Sequence, residues 1–460
     1  MDCFFDLNVV RSVAGCHLIN HSPFVMSYDS FRETFTSKNI LLFGFGLLGG
    51  GKGSLSVFQT LECQIVITDA KSESQLADTL NTIQTKNLVH TTFGKHSYED
   101  IDWADVIVKN PAVPDTNPFI SYAKKKQKRV TTDAALFLRF SQSKTVGITG
   151  TRGKTTTTLL THHLLKNSLS LPVQLGGNIQ NIGSLPLLLT ETPTTITVLE
   201  LSSFALTGCH QESVSPQIAV ITNLYPDHMN YHASMEEYAH EKSAIFAYQK
   251  SSDHVFLNQT NEWTSFFSTK VHSQLHLISP TLFPLAKQMP LPGEHNQWNA
   301  AFAIAIATML GVKHDSISQH LHTFQGAEFR QQVLKTVNGT QFINDSTSTT
   351  PEALTAALST FPDADFIIGG TSKKLPLEHL ATKLQQHRGN LYALKGSGTT
   401  ELLGQLDKQV RVFESLKQAF VAAIENHPKQ VVFSPGFTSF ELFRNEFDRA
   451  NQFSELVNQV

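Results

Sequence analysis

The chain has 460 residues and a net charge of −3, from 36 Lys and Arg against 39 Asp and Glu. At about 150 residues per domain it has room for roughly three domains, and its 40% hydrophobic content excludes a wholly disordered chain. The near balance of charge argues against a nucleic-acid partner, and the longest apolar-rich run, residues 300–310, falls short of the ~20 residues of a membrane span.

Cys3, Cys16, Cys63 and Cys209 form no CxxC pair. They are read as isolated thiols in a reducing compartment, with neither a disulfide framework nor a structural zinc site. The first residues carry no positive stretch ahead of an apolar core, so a secretory signal is not expected and a cytoplasmic location is. Residues 1–25 show no sustained period of 3.6 or 2.0. From Met26 the chain reads as one unit: a short helix, a turn at 37–39, then a strand. Residues 1–25 are therefore expected to be dispensable, with Met26 a plausible start.

The clearest strands are residues 39–46, 64–69, 105–110, 145–150, 196–201, 217–223, 340–345, 364–370 and 429–435. Helix-length segments separate them, which predicts βαβ units and mostly parallel sheets. A long helix is predicted over 295–310 and another near 315–323. Seams near 142 and 325 divide the chain into units 1–141, 142–324 and 325–460.

Two glycine loops carry the chemistry. FGFGLLGGGKGS, residues 43–54, follows a strand and contains GxGxxG at 44, 46 and 49, with Asp69 ending the next strand. This spacing suits NAD, a sugar nucleotide or no ligand at all. GITGTRGKTTTTLL, residues 147–160, runs strand, loop, Lys154-Thr155, helix. Backbone N–H groups of such a loop cradle phosphate oxygens, the lysine supplies a point charge, and the Thr155 hydroxyl can ligate Mg2+. The spacing departs from the usual Walker form, because Ile148 stands five residues before Gly153.

GTRGKTT (150–156), LELSSF (199–204), NLYPDHMNYH (223–232), EHNQWNA (294–300) and INDSTSTTPEA (343–353) lie in that order. Together they resemble the Mur ligases, ATP-dependent amide-bond ligases of peptidoglycan synthesis, over roughly residues 26–460. FGFGLLGGG with Asp69, LGGNI (175–179) and SPGFTSFELFRNEFDRAN (434–451) point to the members that accept D-glutamate. The resemblance implies an α/β fold of three domains: a Rossmann-like N-terminal domain for the UDP-sugar, a central P-loop ATPase-like domain for ATP, and a Rossmann-like C-terminal domain. It implies D-glutamate and UDP-N-acetylmuramoyl-L-alanine as substrates, ATP with two Mg2+ ions, and a monomer.

The same resemblance implies roles by residue. Lys154, Glu200, His228 and Lys242 are catalytic. Thr155, Glu200, His228 and a carbamylated Lys242 hold metal, since a free ammonium would repel Mg2+ whereas a carbamate offers anionic oxygen. Gly150, Thr151, Arg152, Gly153, Lys154, Thr155, Thr156, Asn296, Asn299, Arg330 and Asp345 bind ATP, and the i, i+3 spacing of the two asparagines puts them on one helix face. Leu47, Leu48, Asp69, Asn110 and Asn178 bind the UDP-sugar. Thr349, Lys373, Ser439 and Phe447 bind D-glutamate, with Lys374 able to replace Lys373.

There are departures from the family pattern. Thr347 stands where Lys is common, Thr350 where Asn is frequent, Ala205 where Gln is usual, Asn230 where Asp is usual, and the aromatic of NEFDRAN is displaced by one place. They bear on acceptor binding more than on the ATP chemistry. The alternative readings are a Mur-type or folylpolyglutamate-synthase-like ligase with another acceptor, and a nicotinamide-dependent oxidoreductase using the first glycine loop.

Overall fold

The computed structural model describes residues 27–46, 49–179, 182–227 and 234–460. The expectation for residues 1–25 and Met26 lies outside them.

Three sheets follow one another along the chain. The first contains β1 (Asn39–Phe43), β2 (Gln64–Asp69), β3 (Leu88–Phe93), β4 (Val106–Lys109) and β5 (Arg129–Thr131), in the order β3-β2-β1-β4-β5. The second contains β6 (Lys144–Thr149), β7 (Val173–Gly177), β8 (Ile196–Glu200), β9 (Ile218–Ile221), β10 (His254–Asn258) and β11 (Gln274–Ile278), in the order β11-β10-β9-β6-β8-β7. The third contains β12 (Gln332–Val337), β13 (Thr340–Asn344), β14 (Asp365–Ile368), β15 (Leu391–Leu394), β16 (Arg411–Phe413) and β17 (Gln430–Phe433), in the order β12-β13-β17-β14-β15-β16. The first two sheets are parallel throughout, and the third is parallel except for the β12–β13 pair. All nine strand segments read from the sequence are strands, and the α/β class holds.

Apolar runs such as Ile40–Phe43 and Ile65–Ile67 are buried on both faces, as strands covered by helices must be. The short helix Tyr28–Phe35 is capped by Ser27, and its turn passes through Ser37 at φ 59°. Its Phe31 and Phe35 are fully buried, within 6 Å of the Phe58 and Phe140 rings.

One apolar cluster continues from the first unit into the second, from Phe31 and Phe137 to Leu206 and Ile245. Polar clamps line the same seam. Arg129 donates to both oxygens of Glu212, at 3.0 and 2.9 Å. The buried Lys109 ammonium reaches Thr207 Oγ1 at 3.3 Å. The helices Glu294–Met309 and His314–His322 appear where the periodicity put them, packed on the second sheet's helix Lys154–Ser168.

The third unit is organised around a fully buried arginine. Arg449 donates to Phe437 O at 3.0 Å and Ser346 O at 2.7 Å, and burial draws its guanidinium down to about 10 against the opposing pull of Glu446 and Asp345. These bonds join the loops that leave β13 and β17. Arg449→Ala is expected to cost about 3 kcal/mol, because two buried carbonyls lose donors and a cavity opens. Urea unfolding of the two proteins measures it, and a loss under ~1 kcal/mol contradicts this account.

Candidate active site

The second sheet changes direction around β6, which lies between β8 and β9, and the loops leaving such a switch point form a crevice. The glycine loop leaves β6 there. Glu200 ends the neighbouring strand, in register with Ile148. Asn223 and Asp227 follow β9 on the other side.

Gly153 caps the helix Lys154–Ser168 with φ +83°, and a Cβ there would collide with Asn299 Oδ1. Glycine is demanded twice, by the left-handed backbone and by the approach of a residue far along the chain. Asn223 pins the loop: its Oδ1 accepts from Arg152 N at 2.8 Å and its carbonyl from Thr151 N at 3.0 Å. The Thr151 hydroxyl is turned into the protein, donating to Tyr225 O at 3.2 Å. Thr155 and Thr156 occupy the first turn of the helix, beside the free N–H groups that favour anions.

Two lysines converge on one oxygen. Lys154 Nζ lies 3.1 Å from Gly150 O and 3.0 Å from Thr151 O, and Lys242 Nζ lies 3.0 Å from the same Gly150 O. Lys242 is 1% exposed, with its amine 4.6 Å from the Tyr238 ring centre. Burial holds Lys242 well below the usual lysine range and the Lys154 charge lowers it further, while Asp227 and Glu200 oppose both. Burial also lowers Lys154, against the pull of Glu200. Two ammonium groups on one carbonyl repel each other, so Lys242 is favoured as the neutral amine. Burial raises the Tyr238 hydroxyl to about 12.

Glu200 is 2% exposed. Its Oε1 accepts from Asn178 Nδ2 at 3.3 Å, while its Oε2 is buried without a hydrogen-bond partner. An orphaned, buried carboxylate oxygen beside a phosphate-type loop is the donor a hard cation takes. The residues present therefore fit Mg2+: Thr155 and Glu200 would hold it, with Lys242 once carbamylated. His228 lies outside the described residues.

Asn296 and Asn299 do share a face, and Asn299 Nδ2 donates to Asn296 Oδ1 at 3.0 Å. Asn299 Oδ1 accepts from Thr157 Oγ1 at 3.2 Å, which ties the long helix to the phosphate-loop helix. From the third unit, Arg330 contributes a charge that Lys154 senses. Asp345 accepts from Gln331 N at 3.1 Å and Ser434 Oγ at 2.6 Å, and burial raises its carboxyl to about 7. The Lys373 ammonium lies 3.3 Å from Thr349 Oγ1, and Glu446 and Asp227 support its charge against desolvation. Ser439 is 3% exposed on the loop after β17. Phe447 sits half-buried in the first turn of the helix Glu446–Asn458. Two departures have local explanations: Thr350 caps the helix Pro351–Thr360, as Asn would, and the Thr347 hydroxyl donates to Phe329 O at 2.9 Å.

The first unit's loop is built differently from a nicotinamide site. Both oxygens of Asp69 accept backbone donors, from Gly46 N and from Lys71 N, each at 2.8 Å. Its carboxylate therefore shapes the glycine loop instead of standing open to a ribose. Asn110 packs under that loop, and a Cβ at Gly46 would meet its Nδ2 at 2.7 Å. Leu47 and Leu48 lie outside the described residues. Asn178 is exposed across the seam, held against Glu200.

Residues 148–279 match the family model of the Mur ligase middle domain. A UDP-N-acetylmuramoylalanine–D-glutamate ligase of Roseiflexus sp. is 32% identical, over 91% of this chain and 98% of the relative. The chain belongs to the Mur ligase family. The enzyme of the same description from Borreliella burgdorferi is also 32% identical, over 92% of this chain and 98% of its own length. The crystal structure of UDP-N-acetylmuramate–alanine ligase from Thermotoga maritima shares the fold, with TM-score 0.60, 19% identity, and coverage of 92% of this chain and 99% of that one. So does FolC of E. coli in complex with DHPP and ADP, with TM-score 0.53, 17% identity, and coverage of 71% and 92%.

Reasoning from sequence missed several residues of this Mur ligase's site. Tyr238 and Thr149 flank Lys242, Ser434 holds Asp345, and Arg449 joins the loops after β13 and β17. Only Arg449 left a signal, as a lone arginine within an otherwise amphipathic terminal helix.

Proposed function

We propose that this Mur ligase joins D-glutamate to UDP-N-acetylmuramoyl-L-alanine at the expense of ATP, forming ADP and phosphate, in peptidoglycan precursor synthesis. The observation that carries the chemistry is the convergence of Lys154, Lys242 and the orphaned Glu200 oxygen around one glycine loop. The relatives' shared description carries the choice of acceptor.

The muramoyl-alanine carboxylate attacks the γ-phosphorus of ATP, ADP leaves, and an acyl phosphate results. The amine of D-glutamate attacks the acyl carbon, phosphate leaves, and the nitrogen loses a proton. Phosphoryl transfer needs positioning and charge neutralisation more than covalent help. Lys154 neutralises the phosphate oxygens, and the loop and helix N–H groups orient them. Thr155, Glu200, His228 and carbamylated Lys242 would hold two Mg2+ ions, which supply further neutralisation when bound.

The assignments by unit rest on the family resemblance. Residues 1–141 take the UDP-sugar with Leu47, Leu48 and Asn110, Asp69 shaping the loop that receives it, and Asn178 of the central unit meets it from across the seam. Residues 142–324 take ATP with 150–156 and the asparagine pair. Residues 325–460 bring Arg330 and Asp345 to the nucleotide, and Lys373, Thr349, Ser439 and Phe447 to D-glutamate. Two carboxylates on the acceptor call for a cation and hydroxyl donors, which that set contains. Closure of the third unit excludes water from the acyl phosphate. The family resemblance supports an enzyme that acts as a monomer, in the cytoplasm where ATP and UDP-sugars are made. Among the described residues no helix is long and apolar enough to cross a membrane.

The test is a panel of D- and L-amino acids offered with ATP and the UDP-sugar, reading phosphate release and product mass. D-Glutamate is expected to give the dominant product. Preference for another amino acid sinks the acceptor assignment and leaves the ligase chemistry standing.

A further inference from the structure

Three loops leave the carboxyl ends of β14, β15 and β17 side by side. The first, residues 369–374, carries Lys373, and the third, 434–445, carries Ser439. They are zipped together at Thr371 and Thr438, whose backbones exchange hydrogen bonds of 2.9 and 3.1 Å. The Thr438 hydroxyl adds a bond of 3.0 Å to Thr371 O.

The middle segment, Lys395-Gly396 and the first turn of the helix Ser397–Leu403, is gripped by a carboxylate from the third loop. Glu441 Oε2 accepts from Ser397 N at 2.8 Å, and Oε1 from Ser397 Oγ at 2.7 Å. The Ser397 hydroxyl in turn accepts from Ser372 N at 3.1 Å, next to Lys373. Glu441 N donates to Thr371 Oγ1 at 3.0 Å, so backbone and side chain of one residue reach both other loops. A Cβ at Gly396 would stand 3.0 Å from Glu441 Oε2, so the middle loop approaches the carboxylate at its barest point.

This side chain is exposed. Holding an exposed Glu in one rotamer costs entropy, which the two charge-assisted bonds offset. The core of the third unit does not depend on it, because the Thr371–Thr438 bridge already joins the two flanking loops, and Arg449 separately ties the loop after β17 to the loop after β13. What Glu441 sets is finer: the spacing between Ser439, two residues before it, and Lys373, one residue after the Ser372 it reaches through Ser397. Ser439 also anchors the turn that presents Glu441, its carbonyl accepting from Leu442 N at 3.2 Å and Phe443 N at 2.9 Å.

We propose that Glu441 is a positioning residue for the amino-acid substrate, clamping the Lys373 and Ser439 loops at the separation that receives its carboxylates. This rests on the acceptor roles given above to Ser439 and Lys373. Glu441 touches no substrate in this account and acts through its two neighbours.

The experiment compares the full chain with Glu441→Ala, Glu441→Gln and Ser397→Ala in steady-state ligation, varying ATP and the amino acid separately, alongside melting temperature. The wild type is first given the amino-acid panel. Its preferred amino acid is then the one varied, so an error in naming the acceptor shows in the wild type and not in the variants. Glu441→Ala is expected to raise KM for the amino acid roughly 5- to 20-fold, the scale of losing charge-assisted bonds that act indirectly. The KM for ATP and the melting temperature should stay near wild type. Glu441→Gln keeps one acceptor and should recover part of the loss, and Ser397→Ala, which keeps its backbone donor, should fall between. An unchanged amino-acid KM in folded Glu441→Ala overturns the proposal. So does a rise shared equally by ATP, or a lowered melting temperature with no change in KM.

Discussion

Lys154→Ala is expected to abolish ATP turnover, by at least ~10³-fold or about 4 kcal/mol of barrier, while the fold persists. Lys154 Nζ is held at the mouth of the glycine loop by Gly150 O and Thr151 O, the position from which it can swing to a phosphate oxygen. Its loss removes the charge nearest the loop and leaves Gly150 O still paired with Lys242. The loop itself is pinned by Asn223, which the substitution does not touch. ADP release in a coupled assay and a thermal melt read the two halves of this expectation. Turnover within tenfold of wild type, in a variant that melts normally, would remove the phosphate-loop assignment.

The second large effect is expected at Lys242. Lys242→Ala should lower ligation at least ~100-fold, the scale of losing a metal-supporting group, and short carboxylic acids such as formate or acetate should restore a measurable part. The reasoning starts from burial. A lysine 1% exposed beside a second lysine is pushed toward its neutral form, and a neutral amine is the species that captures CO₂ as a carbamate. The Lys242 amine senses the Glu200 charge, and a carbamate there would add anionic oxygen to the orphaned Glu200 oxygen for holding Mg2+. Removing CO₂ from wild type should lower activity, and restoring bicarbonate should return it. Full activity of the variant with no additive would exclude the role, and rescue by acetate but not by chloride would support it.

The two expectations differ in what made them visible. Lys154 stands in a contiguous motif whose meaning is local: strand, glycine turn, cation, helix. Lys242 stands in an unremarkable helix, and family resemblance alone singled it out. The fold explains the choice by showing that it is the lysine of that helix buried against Gly150. The departures at Thr347 and Thr350 show the converse. They looked like losses of acceptor chemistry, and in the fold each does local work, as a hydroxyl donor to Phe329 and as a helix cap.

Strands were legible where apolar residues run together, as in β1, β2 and β6, because a strand covered on both faces must be apolar along its length. Four of the eight strands not read from the sequence have local reasons, while β10 and β15 are short buried apolar runs that went unread. LVHTTF of β3 is largely exposed at a sheet edge, β5 and β16 have three residues each, and β12 pairs antiparallel with only partial burial. The glycine loops and the helices that follow them were determined by the sequence itself, since turn conformation and hydrophobic period are set by near neighbours. Only the tertiary structure decided that Gly153 must clear Asn299, that Glu200 keeps an orphaned oxygen, that Asp69 is spent on its own loop, and that Glu441 spans three loops. Most of these depend on residues tens to more than a hundred positions apart. Their distances are set by how sheets and helices pack, and local sequence carries no record of them.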